Sequence, residues 1–87
     1  MMVRYFGAAR AAAGMDQENL DVPDGTPLND VLDTLVQLHP AAGDGQPSMK
    51  SVVGRSSFLR NEVALKDRTA PLAASDVIDV LPPFAGG

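Results

Sequence analysis

One amphipathic helix dominates this sequence, and its single apolar face dictates what the other segments must do. Thr26 reads as its N-cap and Pro27 as its first residue, where a missing N–H costs nothing. Leu28, Val31, Leu32 and Leu35 then recur at helical spacing and make one continuous face. Asp30 falls in the first turn, where the helix dipole favours a carboxylate, and Asp33 falls on the outer side. The helix is expected to end at or just before His39, because Pro40 disfavours helical backbone in the residue preceding it. A helix with one apolar face needs one sheet face to cover it.

The rest of the chain supplies short strands. Met2 to Phe6 is apolar around Arg4 and reads as a strand ended by Gly7. Ala8 to Ala13 is a short helical piece stopped by Gly14. Gln17 to Val22 alternates, with Leu20 and Val22 on one face, and Pro23-Asp24-Gly25 is a turn. Ala41 to Ser48 is loop by composition, and Met49 to Val53 reads as one further helical turn. Phe58 to Leu65 fits two strands about a turn at Arg60-Asn61-Glu62, where Asn tolerates left-handed backbone. Asp67 to Ser75 is a connection containing Pro71 and Leu72. Val77 to Leu81 is the last strand, ended by Pro82-Pro83, neither of which can donate to a ladder. Its Ile78 and Val80 are assigned to the core, and Val77, Asp79 and Leu81 to the outer face. The expected fold is α+β, a mixed sheet of four to five strands curled around one main helix. Residues 1–81 form the domain and residues 82–87 an extended tail.

Composition excludes much. A length of 87 residues allows one core only. With no cysteine there is no disulfide, no thiolate nucleophile and no thiolate metal site. One histidine, His39, cannot build a multi-histidine metal centre, so no metal is expected. The seven basic side chains are scattered rather than clustered, which argues against nucleic acid as a partner. No apolar run approaches the ~20 residues that span a bilayer, and no signal-peptide pattern opens the chain. A cytoplasmic domain with no membrane partner is the expectation.

The informative segment is Leu81-Pro-Pro-Phe-Ala-Gly-Gly87. Two prolines stiffen the exit from the sheet, and Phe84 is an aromatic in a segment too short to have its own core. An extended chain from Pro82 to Gly87 reaches roughly 18–20 Å, at ~3.1–3.4 Å per residue. Gly86 and Gly87 carry no side chain, so a terminal carboxylate here is slim enough to pass a narrow channel, as entry into another protein's active site would require. A frayed end also favours glycine, but fraying needs neither an aromatic nor a stiffener. Leu81 and Phe84 are expected in an exposed apolar patch.

Other chemistry-bearing residues have plainer readings. Dipole complementarity and solvation account for Asp30 and Asp33 without a catalytic pair. His39 beside Pro40 suits a cap or a surface position. Ser56-Ser57 lacks the context of a nucleophile elbow, and Gly43-Asp44-Gly45 is followed by no Gly-Lys-Ser/Thr. Arg10 is either solvated or a contact for an acidic partner. No acid, base and nucleophile come together to make an autonomous enzyme.

With the tail in view, the chain resembles the MoaD/ThiS family of ubiquitin-like sulfur carriers, its MoaD branch most. The resemblance runs through Val3-Arg-Tyr-Phe-Gly-Ala-Ala-Arg10 to Gly14, Pro23 to Leu38, Arg60-Asn61, Pro71-Leu72, Asp76-Val-Ile and Pro82 to Gly87. It departs over Ala41 to Ser56, and Arg60 stands where an apolar strand residue is expected. The resemblance implies a β-grasp fold and a non-catalytic, sulfur-donating cosubstrate. It implies that an E1-like, MoeB-type partner spends ATP to adenylate Gly87 and that a sulfur donor makes the thiocarboxylate. No cofactor is implied on the chain itself. The sulfur then passes, within a heterotetramer with a MoaE-type large subunit, to a pterin precursor of the molybdenum cofactor. Carried over, Gly87 is the reacting position, Gly86 gives clearance, and Leu81, Pro82, Pro83, Phe84 and Ala85 meet the partner, with Arg10 touching the activating enzyme. A carrier for thiamin or cysteine supply, a ubiquitin-like modifier conjugated through Gly87, and an inert-tailed interaction module remain as alternatives.

Overall fold

The computed structural model describes residues 1–40, 45 and 47–83. Along them run β1 (Met2–Tyr5), α1 (Ala8–Ala13), β2 (Gln17–Asn19), β3 (Thr26–Pro27), α2 (Leu28–Leu38) and α3 (Met49–Arg55). β4 (Ser57–Arg60), β5 (Val63–Ala64), β6 (Pro71–Leu72) and β7 (Val77–Leu81) complete the order. Five strands form one mixed sheet in the order β2-β1-β7-β4-β5, and β3 pairs with β6 in a separate short ladder. Within the large sheet only the β1–β7 pair is parallel, with Val3 opposite Ile78 and Tyr5 opposite Val80. That register puts Val3, Tyr5, Ile78 and Val80 on one face, all at most 2% exposed. Leu28, Val31, Leu32 and Leu35 of α2 belong to the same core, as do Phe58 of β4 and Met49 and Val52 of α3. Burying each such side chain is worth ~1.5–3 kcal/mol. The expected two-layer α+β arrangement is what the molecule has.

Local outcomes sharpen several readings. Thr26 does not cap α2. It lies in β3, its hydroxyl donates to the Pro23 carbonyl at 2.7 Å, and Pro27 takes the cap position one residue later than expected. Tertiary pairing with Pro71–Leu72 draws Thr26–Pro27 into extended backbone. β2 is shorter than the alternation of Gln17 to Val22 suggests, though Leu20 still enters the core. α3 runs two residues past the expected Val53 and is capped by the Ser48 hydroxyl, which accepts from the Ser51 N–H at 3.1 Å. Most of 41–48 lies outside the described residues.

Asp79 lies on the outer face, where alternation assigns it, and is nonetheless buried there, only 4% exposed. Arg4 stands directly opposite it on β1 and covers it, Nε to Oδ1 at 2.5 Å and Nη2 to Oδ2 at 2.9 Å. His39 is also more engaged than a surface residue. Its ring meets Glu18 Oε2 at 2.5 Å, and the same oxygen accepts from the buried Tyr5 hydroxyl at 2.5 Å. Burial, reinforced by Glu18, pushes the Tyr5 phenol far above its usual value. One carboxylate thereby ties β1, β2 and the end of α2 together.

Asp76 does the same at the other end of the sheet. It is 5% exposed, and its oxygens accept from the Ala73 N–H at 2.8 Å and the Asn61 amide at 3.0 Å. Arg60 Nε lies 2.8 Å from Oδ2, which explains an arginine where a strand residue was expected to be apolar. Asn61 in turn accepts from the Val77 N–H at 2.9 Å, and its φ of 50° with 70° at Glu62 makes the left-handed hairpin turn expected there. Burial raises the Asp76 pKa, but the Ala73 N–H, the Asn61 amide and Arg60 outweigh it and hold the carboxyl below its ordinary value. A depressed folded value contributes stability above the ordinary range, lost as pH falls through it. Asp76→Ala is therefore expected to lose about 1–3 kcal/mol at neutral pH. In urea titrations the gap to the parent chain should close below about pH 4. A gap equally wide in acid contradicts the assignment.

Candidate functional site

Parallel pairing sends the C-terminal ends of β1 and β7 to the same edge of the sheet. Tyr5 and Val80 are the last residues this parallel pair shares, so Phe6 leaves the sheet beside Leu81, the final residue of β7, which still pairs with Ser57 of β4. Past Phe6 the chain turns at once into α1. Gly7 makes that turn at φ 50° and ψ −127°, and although a Cβ there would meet nothing within 4 Å, the backbone angles strain any other residue. α1 packs against α3, whose last turn brings Arg55 to the same edge.

Together Phe6, Gly7, Ala8, Arg55, Leu81, Pro82 and Pro83 line an open groove of about 630 Å³. Its lining residues are apolar or glycine apart from Arg55. Phe6 is 41% exposed, a large apolar side chain left without cover in the isolated chain. Leu81 and Pro82 are half-buried and Pro83 is exposed. The proline pair thus leaves from the rim of the groove. Phe84, Ala85, Gly86 and Gly87 lie outside the described residues.

Three of the expected contact residues, Leu81, Pro82 and Pro83, come together here, and Arg10 does not join them. Arg10 is exposed and pairs with Asp16 at 2.8 Å on a neighbouring cleft that it shares with Arg4 and Phe6. Such an exposed pair is worth little and exchanges readily for a partner's carboxylate. Sequence reasoning missed Phe6, Gly7, Ala8 and Arg55 as wall residues. Phe6 carried a signal, since alternation from Val3 and Tyr5 turns it outward. Arg55 carried none.

The other candidates stay apart. Asp30 and Asp33 are exposed on α2. The Ser56 hydroxyl donates to the Val52 carbonyl at 2.7 Å and is buried, whereas Ser57 is exposed at the start of β4. Among the described residues no three or more His, Asp or Glu side chains gather to hold a metal ion, and no helix is long and apolar enough to cross a membrane. What the site can do is dock an apolar surface and hand over a tail.

Comparison with known proteins agrees with this geometry. The family model described as "ThiS family" matches residues 3–87. The molybdopterin synthase sulfur carrier subunit of Chlamydomonas reinhardtii is 30% identical over 87 residues, covering 98% of this chain and 95% of the relative. Among solved structures, SAMP1 from Haloferax volcanii superposes with a TM-score of 0.74 at 27% identity, covering 99% of this chain and 97% of that one. The complex of subunits 1 and 2 of molybdopterin-converting factor from Helicobacter pylori 26695 contributes a chain with a TM-score of 0.61 at 26% identity, both chains covered fully. These neighbours are ubiquitin-like, so the fold is the β-grasp.

Leu81→Asp tests the groove. It places a charge on a half-buried wall outside the core, so the thermal midpoint should fall by no more than a few degrees. Affinity for a tail-accepting partner, read by calorimetry, should fall at least tenfold. A collapse of the midpoint would show that Leu81 belongs to the core.

Proposed function

The chain belongs to the ThiS family, and on that premise we propose that it is the sulfur carrier subunit of a molybdopterin synthase. One observation carries this reading. The family match runs to residue 87, so the Gly-Gly tail lies inside the matched pattern rather than appended to it. The groove from whose rim Pro82 and Pro83 depart supports it.

In this reading the chain acts as a cosubstrate. A carboxylate is a poor electrophile, so the Gly87 carboxylate is first joined to the α-phosphorus of ATP by an E1-like, MoeB-type enzyme, and pyrophosphate leaves. Sulfide, supplied by the sulfur donor, then attacks the acyl carbon as HS⁻, AMP leaves as the bond from that carbon to the phosphate oxygen breaks, and the thiocarboxylate results. Its sulfur is a strong nucleophile at the end of a leash about as long as an active-site channel. A MoaE-type large subunit receives it; there the sulfur bonds to a carbon of a pterin precursor, and water cleaves the acyl–sulfur bond, so the sulfur stays on the precursor and the Gly87 carboxylate is regenerated. Gly86 gives clearance, Phe84 and Ala85 follow the path into the partner, and Arg10 contacts the activating enzyme. The H. pylori subunit pair supports a two-component assembly.

Purified chain incubated with its activating enzyme, ATP and a sulfur source should gain the mass difference of one sulfur replacing one oxygen. An unchanged mass contradicts the proposal. One residue added after Gly87 should abolish the conversion without moving the thermal midpoint. A second reading, a protein modifier, draws on the likeness to SAMP1, small archaeal modifier protein 1 of Haloferax volcanii. It requires tagged chain in covalent ladders that survive denaturant and thiol reductant, and single bands exclude it.

A further inference from the structure

Charge is unevenly divided along this chain. From residue 11 to residue 49 there are seven carboxylates and neither a lysine nor an arginine. Asp16, Glu18, Asp21, Asp24, Asp30 and Asp33 lie in β2, α2 and the loops beside them. All seven basic side chains belong to the remaining segments. The groove draws its walls from those segments alone, and no carboxylate is among its lining residues.

Arg55 is the single charged residue of that lining. It is exposed in the last turn of α3 and makes no ion pair among the described residues. Its counterparts are differently placed. Arg4 is committed to Asp79, Arg60 to the buried Asp76, and Arg68 lies over the Phe58 ring at 5.0 Å. Beyond Phe6, the neighbouring cleft holds Arg4 and Arg10 together with Asp16, and both arginines are already paired, which leaves Arg55 as the uncompensated charge at the groove among the described residues. A protein covering this groove must bury Phe6, Leu81 and the prolines and bring Arg55 out of water. A guanidinium is desolvated at tolerable cost only if it gains a hydrogen-bonded anion, and a carboxylate fits it bidentately.

We propose that Arg55 is the charge-selecting contact of the groove, and that the large subunit which receives the tail covers the groove with an apolar segment carrying a carboxylate opposite Arg55. A carboxylate-bearing surface matches Arg55 and is repelled by the carboxylates of the β2–α2 segment, which disfavours docking there. This rests on the sulfur-carrier reading, because that reading names the occupant. The competing explanation is local. A basic residue in the last turn of a helix complements the helix dipole, which affects stability and leaves association rates alone.

The two are separated by association kinetics of the intact chain with the molybdopterin synthase large subunit of the same organism. At ~20 mM salt, Arg55→Glu should slow association about tenfold, the scale of electrostatic steering for a reversed contact charge. The gap should shrink to about twofold near ~0.5 M salt, where screening acts over roughly 4 Å. Arg55→Lys should associate at the parent rate within about twofold. Asp30→Lys combined with Asp33→Lys, on the acidic half, should not slow it. If Arg55→Glu fails to fold, Arg55→Gln should show the same salt-dependent loss at about a third of its size. Equal rates for Arg55→Glu and the parent overturn the proposal, as does a loss that salt leaves unchanged. A parent chain that gives no binding to the large subunit overturns the sulfur-carrier reading as well.

Discussion

Parallel pairing between β1 and β7 is the constraint on which the rest of the structure depends. Parallel neighbours cannot be joined by a hairpin, so everything between Tyr5 and Val77 must serve as the crossover and return. That crossover contains α2, whose apolar face then has a sheet to cover it. The same pairing brings the first and last strands of the chain to the centre of the sheet, flanked by β2 and β4. It also fixes direction: two strands pointing the same way end at the same edge. The tail and the turn into α1 therefore leave together, and the apolar groove is the space between them.

Two buried carboxylates hold this centre in place without apolar contact. Asp79 lies opposite Arg4 in the parallel register and seals the outer face, while Asp76 anchors the start of β7 to the β4–β5 hairpin. Each is covered by an arginine and hydrogen-bonded, the condition under which a charge can be buried without large cost. β7 is thus held at its start through Asp76 and at its middle through Asp79, three residues before Pro82.

Elements whose cause is local were legible in the amino-acid sequence. Ala8–Ala13 ends at a left-handed Gly14, and Val77–Leu81 is bounded by two prolines, so both ranges could be read directly. The Asn61 turn was legible for the same reason. What failed depended on partners distant in sequence. Thr26–Pro27 looks like a helix start until Pro71–Leu72 pairs with it. Asp79 has the expected face, but its cover by Arg4 appears only with the parallel register. Alternation gives the face of a residue and says nothing of what covers that face. Among the site residues, Leu81, Pro82 and Pro83 were readable from the tail they introduce. Arg55 reaches the groove only through the packing of α3 on α1, which no local pattern encodes.

The central claim is that the partner docks where the ends of β1 and β7 converge. Amide hydrogen exchange of the carrier, alone and saturated with the large subunit, tests it most directly. Protection should appear at Phe6, Gly7, Ala8, Arg55 and Leu81 and be absent from the exposed amides of α2 and the β2 edge. Protection confined to β2 and α2, with Phe6 to Ala8 and Leu81 exchanging at their free rates, would contradict it.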